Sequence, residues 1–238
     1  NNMILGRANR YLSKFSKKIL IAKKIATNFP KKYETKTYEV GHILNKDIIN
    51  ALPLAKDKNK SNFTILVLGG SQGAEIFGTI IPPTIAKAKK LGYEIDIIQQ
   101  CLFDQKDSIS SFYDKNNIKN YIFDFDKNIL KLILRADLAI SRCGASTTSE
   151  LTHTITPFIA VPLPKSIDNH QYLNAKYYEK KGCCTILEQK NFNTDNLLNL
   201  IVATVKNKNR LEIMRTNMKK NYRNNVYSDI ENHIKEII

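Results

Sequence analysis

The 238-residue sequence holds no apolar run near the ~18–20 residues that a bilayer-spanning helix needs. It does not open with a basic segment, an apolar core and a small-residue cleavage site, the pattern of a secretory signal. Cysteine is scarce: Cys101, Cys143 and the adjacent Cys183 and Cys184, with no Cys-x-x-Cys pair. That usage argues against a disulfide framework and fits a reducing compartment. His42, His153, His170 and His233 are scattered, so no zinc-ligand spacing arises. There is no internal repeat. Acidic residues are few, 22 Asp+Glu against 37 Lys+Arg, for a formal net charge of +15. No zinc finger, homeodomain or RNA-recognition motif accompanies that charge, and Lys predominates over Arg, which sets a nucleic-acid binder aside as a remote alternative.

What is present is ordinary for a folded chain: 42% hydrophobic and 25% charged residues. The first residue is Asn, as expected of a fragment, a processed product or a frame that begins at Met3. Residues 1–60 carry 14 of the basic residues against four acids, a bias that reads either as a compositional habit or as an anionic partner. From Arg7 to about Ala26, Ala8, Tyr11, Leu12, Phe15, Ile19 and Ala22 recur at helical spacing, predicting one amphipathic helix with Lys14, Lys17 and Lys18 off its apolar stripe. A short strand is expected at residues 37–40 and a polar connection over Pro53–Asn62.

Phe63–Leu68 is a short apolar run ending in Gly69-Gly70, the signature of a buried parallel strand. Strands and helices alternate after it. The expected strands lie near Glu94–Ile98, Lys119–Phe123, Asp137–Ser141, Pro157–Val161 and Cys184–Leu187. The expected helices run from Ala74 with a break at Pro82-Pro83, then near Gln105–Lys115, Asn128–Arg135, Ser146–His153 and Asp168–Lys181, with more from Thr194 onward. That order predicts an α/β fold with a doubly wound, Rossmann-like parallel sheet.

Three loops at predicted strand ends could carry chemistry. Gly69-Gly70-Ser71-Gln72-Gly73-Ala74 opens a helix; it reads as a plain turn or as a cradle whose free N–H groups attract a diphosphate. It is neither a P-loop nor the usual dinucleotide fingerprint. Ser141–Glu150 opens another helix, and Glu150 could accept hydrogen bonds from a ribose diol or serve as a helix-start acid in a capping box with Thr147. Cys143 there reads better as a small buried residue than as a nucleophile. Pro162–Asn174 is rich in amide and imidazole groups suited to sugar hydroxyls, with His170, Gln171 and Asn174 as candidates. Together the loops describe a nucleotide-sugar pocket.

These three motifs, in this order, resemble the C-terminal domain of the MurG family, the bacterial GT-B transferases that add N-acetylglucosamine to lipid I to give lipid II. The resemblance runs along nearly the whole chain. It implies the C-terminal half of a GT-B glycosyltransferase, an enzyme of peptidoglycan synthesis acting in cell shape and division. By resemblance, residues 1–40 belong to the acceptor domain, 41–62 form a linker, 63–211 bind the UDP-sugar and 212–238 form a helix returning toward the acceptor domain. Ser71, with Gln72 and Gly73, would face the diphosphate, approached also by Ala145, Ser146 and Thr147. Glu150 would bind ribose, the backbone at Phe125-Asp126 the uracil, and His170, Gln171 and Asn174 the sugar. Asn1 matches the Asn closing the family's His-Glu-Gln-Asn motif. Asn45, within Gly41-His42-Ile43-Leu44-Asn45, stands where the family carries a donor-contacting Arg.

The implied partners are UDP-GlcNAc, lipid I, an anionic membrane surface at the cytoplasmic face of the inner membrane, and a separately supplied N-terminal half. No metal or other cofactor is implied. The base expected in the family lies outside these residues, so the chain alone is expected to be inactive. The alternative reading is a non-catalytic UDP-sugar-binding fragment.

Overall fold

Two parallel sheets organise the described residues, which are 6–23, 29–51, 62–70, 74–221 and 225–237 of the computed structural model. The first is a ribbon of β1 (Ile19–Ile21) and β2 (Thr37–Glu39), flanked by α1 (Arg7–Leu12) and α2 (Lys46–Asn50). The second alternates strand and helix: β3 (Phe63–Leu68), α3 (Glu75–Lys90), β4 (Ile95–Gln100), α4 (Lys106–Lys115), β5 (Asn120–Phe123), α5 (Ile129–Arg135), β6 (Leu138–Ser141), α6 (Ala145–His153), β7 (Phe158–Ala160), α7 (His170–Lys180) and β8 (Cys184–Ile186). Helices α8 (Thr194–Lys206), α9 (Lys208–Lys220) and α10 (Val226–Lys235) follow. Strand order is β5-β4-β3-β6-β7-β8, all parallel, the doubly wound order expected.

The central strand shows why. On β3, Ile65 and Val67 point into one core with Phe77, Ile81 and Ile85 of α3 and Leu197 and Ile201 of α8. Leu66 and Leu68 point into the other, with Leu132 and Ile133 of α5, Leu151 of α6 and Tyr178 of α7. A strand covered on both faces needs apolar residues at every position, so it reads as a run rather than an alternation. Because all strands run the same way, the loops after β3, β5, β6 and β7 lie along one sheet edge.

Three expectations fail. The helix from Arg7 stops at Leu12 instead of continuing to Ala26. Beyond it the chain tightens into turns, with Lys14 N–H on Tyr11 O and Phe15 N–H on Leu12 O, and the Ser13 and Ser16 hydroxyls bond back to Asn9 O and Leu12 O. β-Branched Ile19 and Ile21 then pair with β2, a long-range contact that local periodicity does not register. Lys18 does not join an outward basic face: its ammonium reaches the carboxylate of Glu236, while Lys17 stays exposed and leans to the carbonyl of Ile237. The apolar side chains are the exposed ones, Tyr11, Leu12 and Phe15.

Secondly, α3 runs straight through Pro82 and Pro83. Neither ring nitrogen can donate to the helix, yet Ile81, Pro82, Ile85 and Ala88 are buried against the sheet, and that burial offsets the two missing bonds. Thirdly, the C-terminal stretch is two helices, α9 and α10. The second packs on the N-terminal region: Tyr227 OH donates to Leu44 O at 2.7 Å, and the Tyr38 and His233 rings lie 4.3 Å apart. The junction between the small ribbon and the large sheet is closed further by Tyr178 OH, 3.2 Å from His42 Nε2, and by His153 Nε2, 3.3 Å from Ile49 O. A cavity of about 50 Å³ lies at that junction, lined in part by His42, His153 and Tyr178. No helix among the described residues is long and apolar enough to cross a membrane. Most of the Pro53–Asn62 connection lies outside the described residues.

Candidate functional site

Strand order reverses between β3 and β6, which are neighbours in the sheet but send the chain to opposite sides. At such a switch point the following loops diverge and leave a crevice beyond the strand ends. Here it is bounded by Gly69-Gly70 after β3 and Arg142-Cys143-Gly144 after β6. Gly70 takes φ +85°, a turn that favours glycine, and Gly69 N–H donates to Gln100 Oε1 at 3.1 Å. Of the expected phosphate contacts, Ser71, Gln72 and Gly73 lie outside the described residues, as does Asn1.

On the other side of the crevice, α6 starts at Ala145 with no side-chain cap. Its first intrahelical bond runs from Thr148 N–H to Gly144 O, so the N–H groups of Ala145, Ser146 and Thr147 have no intrahelical acceptor. Three free donors and the positive end of the helix dipole point the same way, an arrangement that attracts an anion. Glu150 sits one and a half turns further on, half-buried. Its carboxylate hydrogen-bonds nothing among the described residues, and burial pushes it above the usual carboxylate range. Thr147 makes no capping bond, which leaves the capping-box alternative without support.

The loop after β7 is held in an unusual backbone. Lys165, Asp168 and Asn169 all have positive φ without being glycine, at 56°, 52° and 55°. Each such residue stores of the order of 1–3 kcal/mol and persists only where surroundings fix it. The fixing contacts are visible. Gln171 Oε1 accepts from Cys143 N–H and from Leu163 N–H, each at 3.0 Å. Asn174 Nδ2 donates to Cys143 O at 3.0 Å, and Ser166 Oγ accepts from Gln171 N–H at 3.3 Å. His170 Nδ1 lies 2.7 Å from Ile167 O. Gln171 and Asn174 therefore lace the β7 loop to the β6 loop; Asn174 is fully buried, while Gln171 Nε2 is left without a partner among the described residues.

Asp126 stands apart from these loops. It is partly exposed, and its carboxylate accepts from Asn128 N–H at 2.7 Å and Tyr121 OH at 2.8 Å, which hold it below the usual carboxylate range. That leaves the local backbone, and the exposed ring of Phe125, as the accessible surface after β5. Asn45 caps α2 by accepting from Asp47 N–H at 3.0 Å, which gives that side chain a structural use. Burial drives the Cys143 thiol far above its ordinary value, so it stays protonated and unreactive.

Sequence patterns alone do not single out Gln100, Ser166 or Arg142. The first two brace loops through bonds set by tertiary structure. Arg142 had one legible signal, a cation between a fully apolar strand and a glycine.

Comparison with known proteins follows the same outline. Residues 64–232 match the glycosyltransferase family 28 C-terminal domain. The chain is 35% identical over 239 residues to the UDP-N-acetylglucosamine–N-acetylmuramyl-(pentapeptide) pyrophosphoryl-undecaprenol N-acetylglucosamine transferase of Pelagibacter ubique, covering 100% of this chain and 66% of that protein. To the transferase of the same name from Rickettsia canadensis it is 39% identical over 241 residues, covering 100% and 67%. Among solved structures, MurG of Acinetobacter baumannii superposes with a TM-score of 0.80 at 24% identity, covering 99% of this chain and 65% of that one. The chain spans about two thirds of the length of the relatives it matches.

Proposed function

The chain belongs to glycosyltransferase family 28, and from that premise we propose that it supplies the donor site for transfer of N-acetylglucosamine from UDP-GlcNAc to lipid I, giving lipid II in peptidoglycan synthesis. The observation that carries this reading is the pairing of half-buried Glu150, whose carboxylate has no hydrogen-bond partner among the described residues, with the three N–H groups that open the same helix and have no acceptor there. A carboxylate beside a cluster of free donors would repel an anion unless each has its own group to bind. A nucleoside diphosphate offers both: the phosphates to Ala145, Ser146 and Thr147, and the ribose diol to Glu150. Ser71, Gln72 and Gly73 would complete the phosphate side, the backbone near Asp126 the base, and His170 and Gln171 the sugar, with Asn174 bracing them.

In the transfer, the acceptor hydroxyl forms a bond to the anomeric carbon as the bond from that carbon to the diphosphate oxygen breaks. The proton leaves to a base that none of these residues supplies. UDP departs with the electron pair, and the α6 N-terminus stabilises the charge that grows on it. The donor-facing half of the reaction is thus assigned here, and the acceptor half to the remaining third of a family-length protein. Lipid I would bring the enzyme to the cytoplasmic face of the inner membrane. The exposed Tyr11, Leu12 and Phe15 beside Arg7, Arg10 and Lys14 support contact with an anionic lipid surface there. Preference for anionic over neutral vesicles in co-sedimentation, lost on charge reversal at Arg10 and Lys14, is the outcome expected.

Calorimetric titration with UDP-GlcNAc tests the core of the proposal. Glu150→Ala should weaken binding by about 1.5–3 kcal/mol, the value of a charge-assisted hydrogen bond. Unchanged affinity in a folded variant would remove Glu150 from the ribose.

A further inference from the structure

Arg142, the first residue after β6, is only 7% exposed. A guanidinium so buried ordinarily has a carboxylate beside it, because an uncompensated charge in a low-dielectric interior is costly. Among the described residues Arg142 has none. Among the described residues its side-chain hydrogen bonds run from Nη1, to Val161 O at 3.2 Å and Pro162 O at 3.4 Å. Its guanidinium carbon lies over the Phe77 ring, 4.9 Å from the centroid. Burial lowers its pKa.

The residue also occupies a singular place. Its backbone N–H donates to Leu68 O, the last residue of β3, and its Cβ lies 4.0 Å from where a side chain on Gly70 would begin. Phe77 belongs to the helix that follows the glycine loop. Val161 and Pro162 begin the strained loop after β7. Arg142 therefore touches the root of all three loops around the crevice, and among the described residues only neutral groups contact its positive charge.

We propose that Arg142 is a positioning residue whose missing counter-charge is the diphosphate of the nucleotide donor. The inference rests on the donor reading above and deepens it. Inside the protein a charge acts over greater distances than in water, so Arg142 exerts its effect on the phosphates from behind the loop without touching them. The planar guanidinium suits this role, because Nη1 serves two carbonyls while the delocalised group lies over a ring. In the free protein the charge is an unbalanced burden; the bound diphosphate neutralises it.

Titration of the 238-residue chain and its Arg142→Met and Arg142→Lys variants with uridine, UMP, UDP and UDP-GlcNAc tests this. For Arg142→Met the loss should grow with ligand charge: less than about twofold for uridine, and about tenfold or more for UDP and UDP-GlcNAc, a factor equal to ~1.4 kcal/mol. Arg142→Lys keeps the charge and gives up the fork, so its UDP affinity should stay within about threefold of the native value. Equal losses for all four ligands, or none for any, would make Arg142 a plain loop brace and overturn the proposal. If Arg142→Met does not fold, the lysine variant decides alone: a fall in UDP affinity to that of uridine overturns it. Should the unaltered chain bind no UDP, the donor reading fails and this inference with it. Binding of UDP by variants indifferent to ligand charge sinks the inference only.

Discussion

The small ribbon and the large sheet are both parallel, yet they are built on different terms. The six-stranded sheet buries both faces, and its strands are among the least exposed residues of the molecule. The ribbon has two three-residue strands whose side chains are mostly half-buried, preceded by a six-residue helix that buries none of its residues. Parallel pairing is stable only when helices cover it, so a two-stranded parallel ribbon has little to hold it beyond its ties to neighbours. Among the described residues those ties include Tyr227 OH to Leu44 O, Lys18 to Glu236, Tyr178 OH to His42 and the Tyr38 ring against His233. The large sheet is held by packing, and the ribbon by attachment.

The largest effect expected from this contrast is in the core. Phe158→Ala, at a fully buried ring on β7, should cost about 3–5 kcal/mol in urea unfolding. A cost below ~1 kcal/mol would mean that packing is not what holds the large sheet. Next is Gln171→Ala, which strips the acceptor from two backbone N–H groups and should cost about 1–3 kcal/mol. Because both loops lean on that amide, UDP should weaken along with UDP-GlcNAc. If discrimination between the two ligands alone is lost, Gln171 acts on the sugar and not on the loops.

The junction between the two regions should respond to pH. Burial, aided by the nearby Lys23, lowers His42 from 6.5 to about 4. Between those values the unfolded chain takes up a proton that the folded chain refuses. The corresponding stability is whole above pH 6.5 and is lost as pH falls toward 4, about 1–2 kcal/mol by pH 5. Burial shifts His153 in the same direction. His42→Gln should flatten the dependence of the urea midpoint between pH 7.5 and 5; a slope equal to the native one would move the effect elsewhere. Tyr227→Phe, removing one hydroxyl bond to Leu44, should cost about 0.5–1.5 kcal/mol. Smallest of all, Phe15→Ala at a 72% exposed ring should change stability by less than ~0.5 kcal/mol.

The same contrast explains what could be read in the sequence. From Phe63 to Ile186 every strand lies within two residues of its expected limits, because a strand buried on both faces announces itself as an apolar run bounded by glycine or polar residues. Local periodicity over-extended α1, since Tyr11, Leu12 and Phe15 keep helical spacing while Ile19–Ile21 is claimed by a partner strand sixteen or more residues later. The prolines of α3 misled in the opposite sense: their local penalty was legible, and the tertiary burial that outweighs it was not. The opening of α6 was legible from strand–glycine–helix order. The lacing role of Gln171 and Asn174 was not, because it depends on which loops the sheet order brings side by side.

That sheet order also governs how the site comes into being. Each neighbouring pair in the large sheet is joined through one intervening helix, except β3 and β6, whose contact is fastened by Thr64 N–H on Asp137 Oδ2 across 73 residues of chain. Closing so long a segment costs more chain entropy than any of the single crossovers, and non-local pairings of this kind are what slow a folding domain. The crevice lies at the one seam that requires it. Partial structures made of β3-α3-β4 or of β6-α6-β7 can hold their own short-range contacts, but neither contains two walls of a pocket. The proposed donor site therefore requires the completed fold, and recovery of nucleotide binding during refolding would time the closing of that seam.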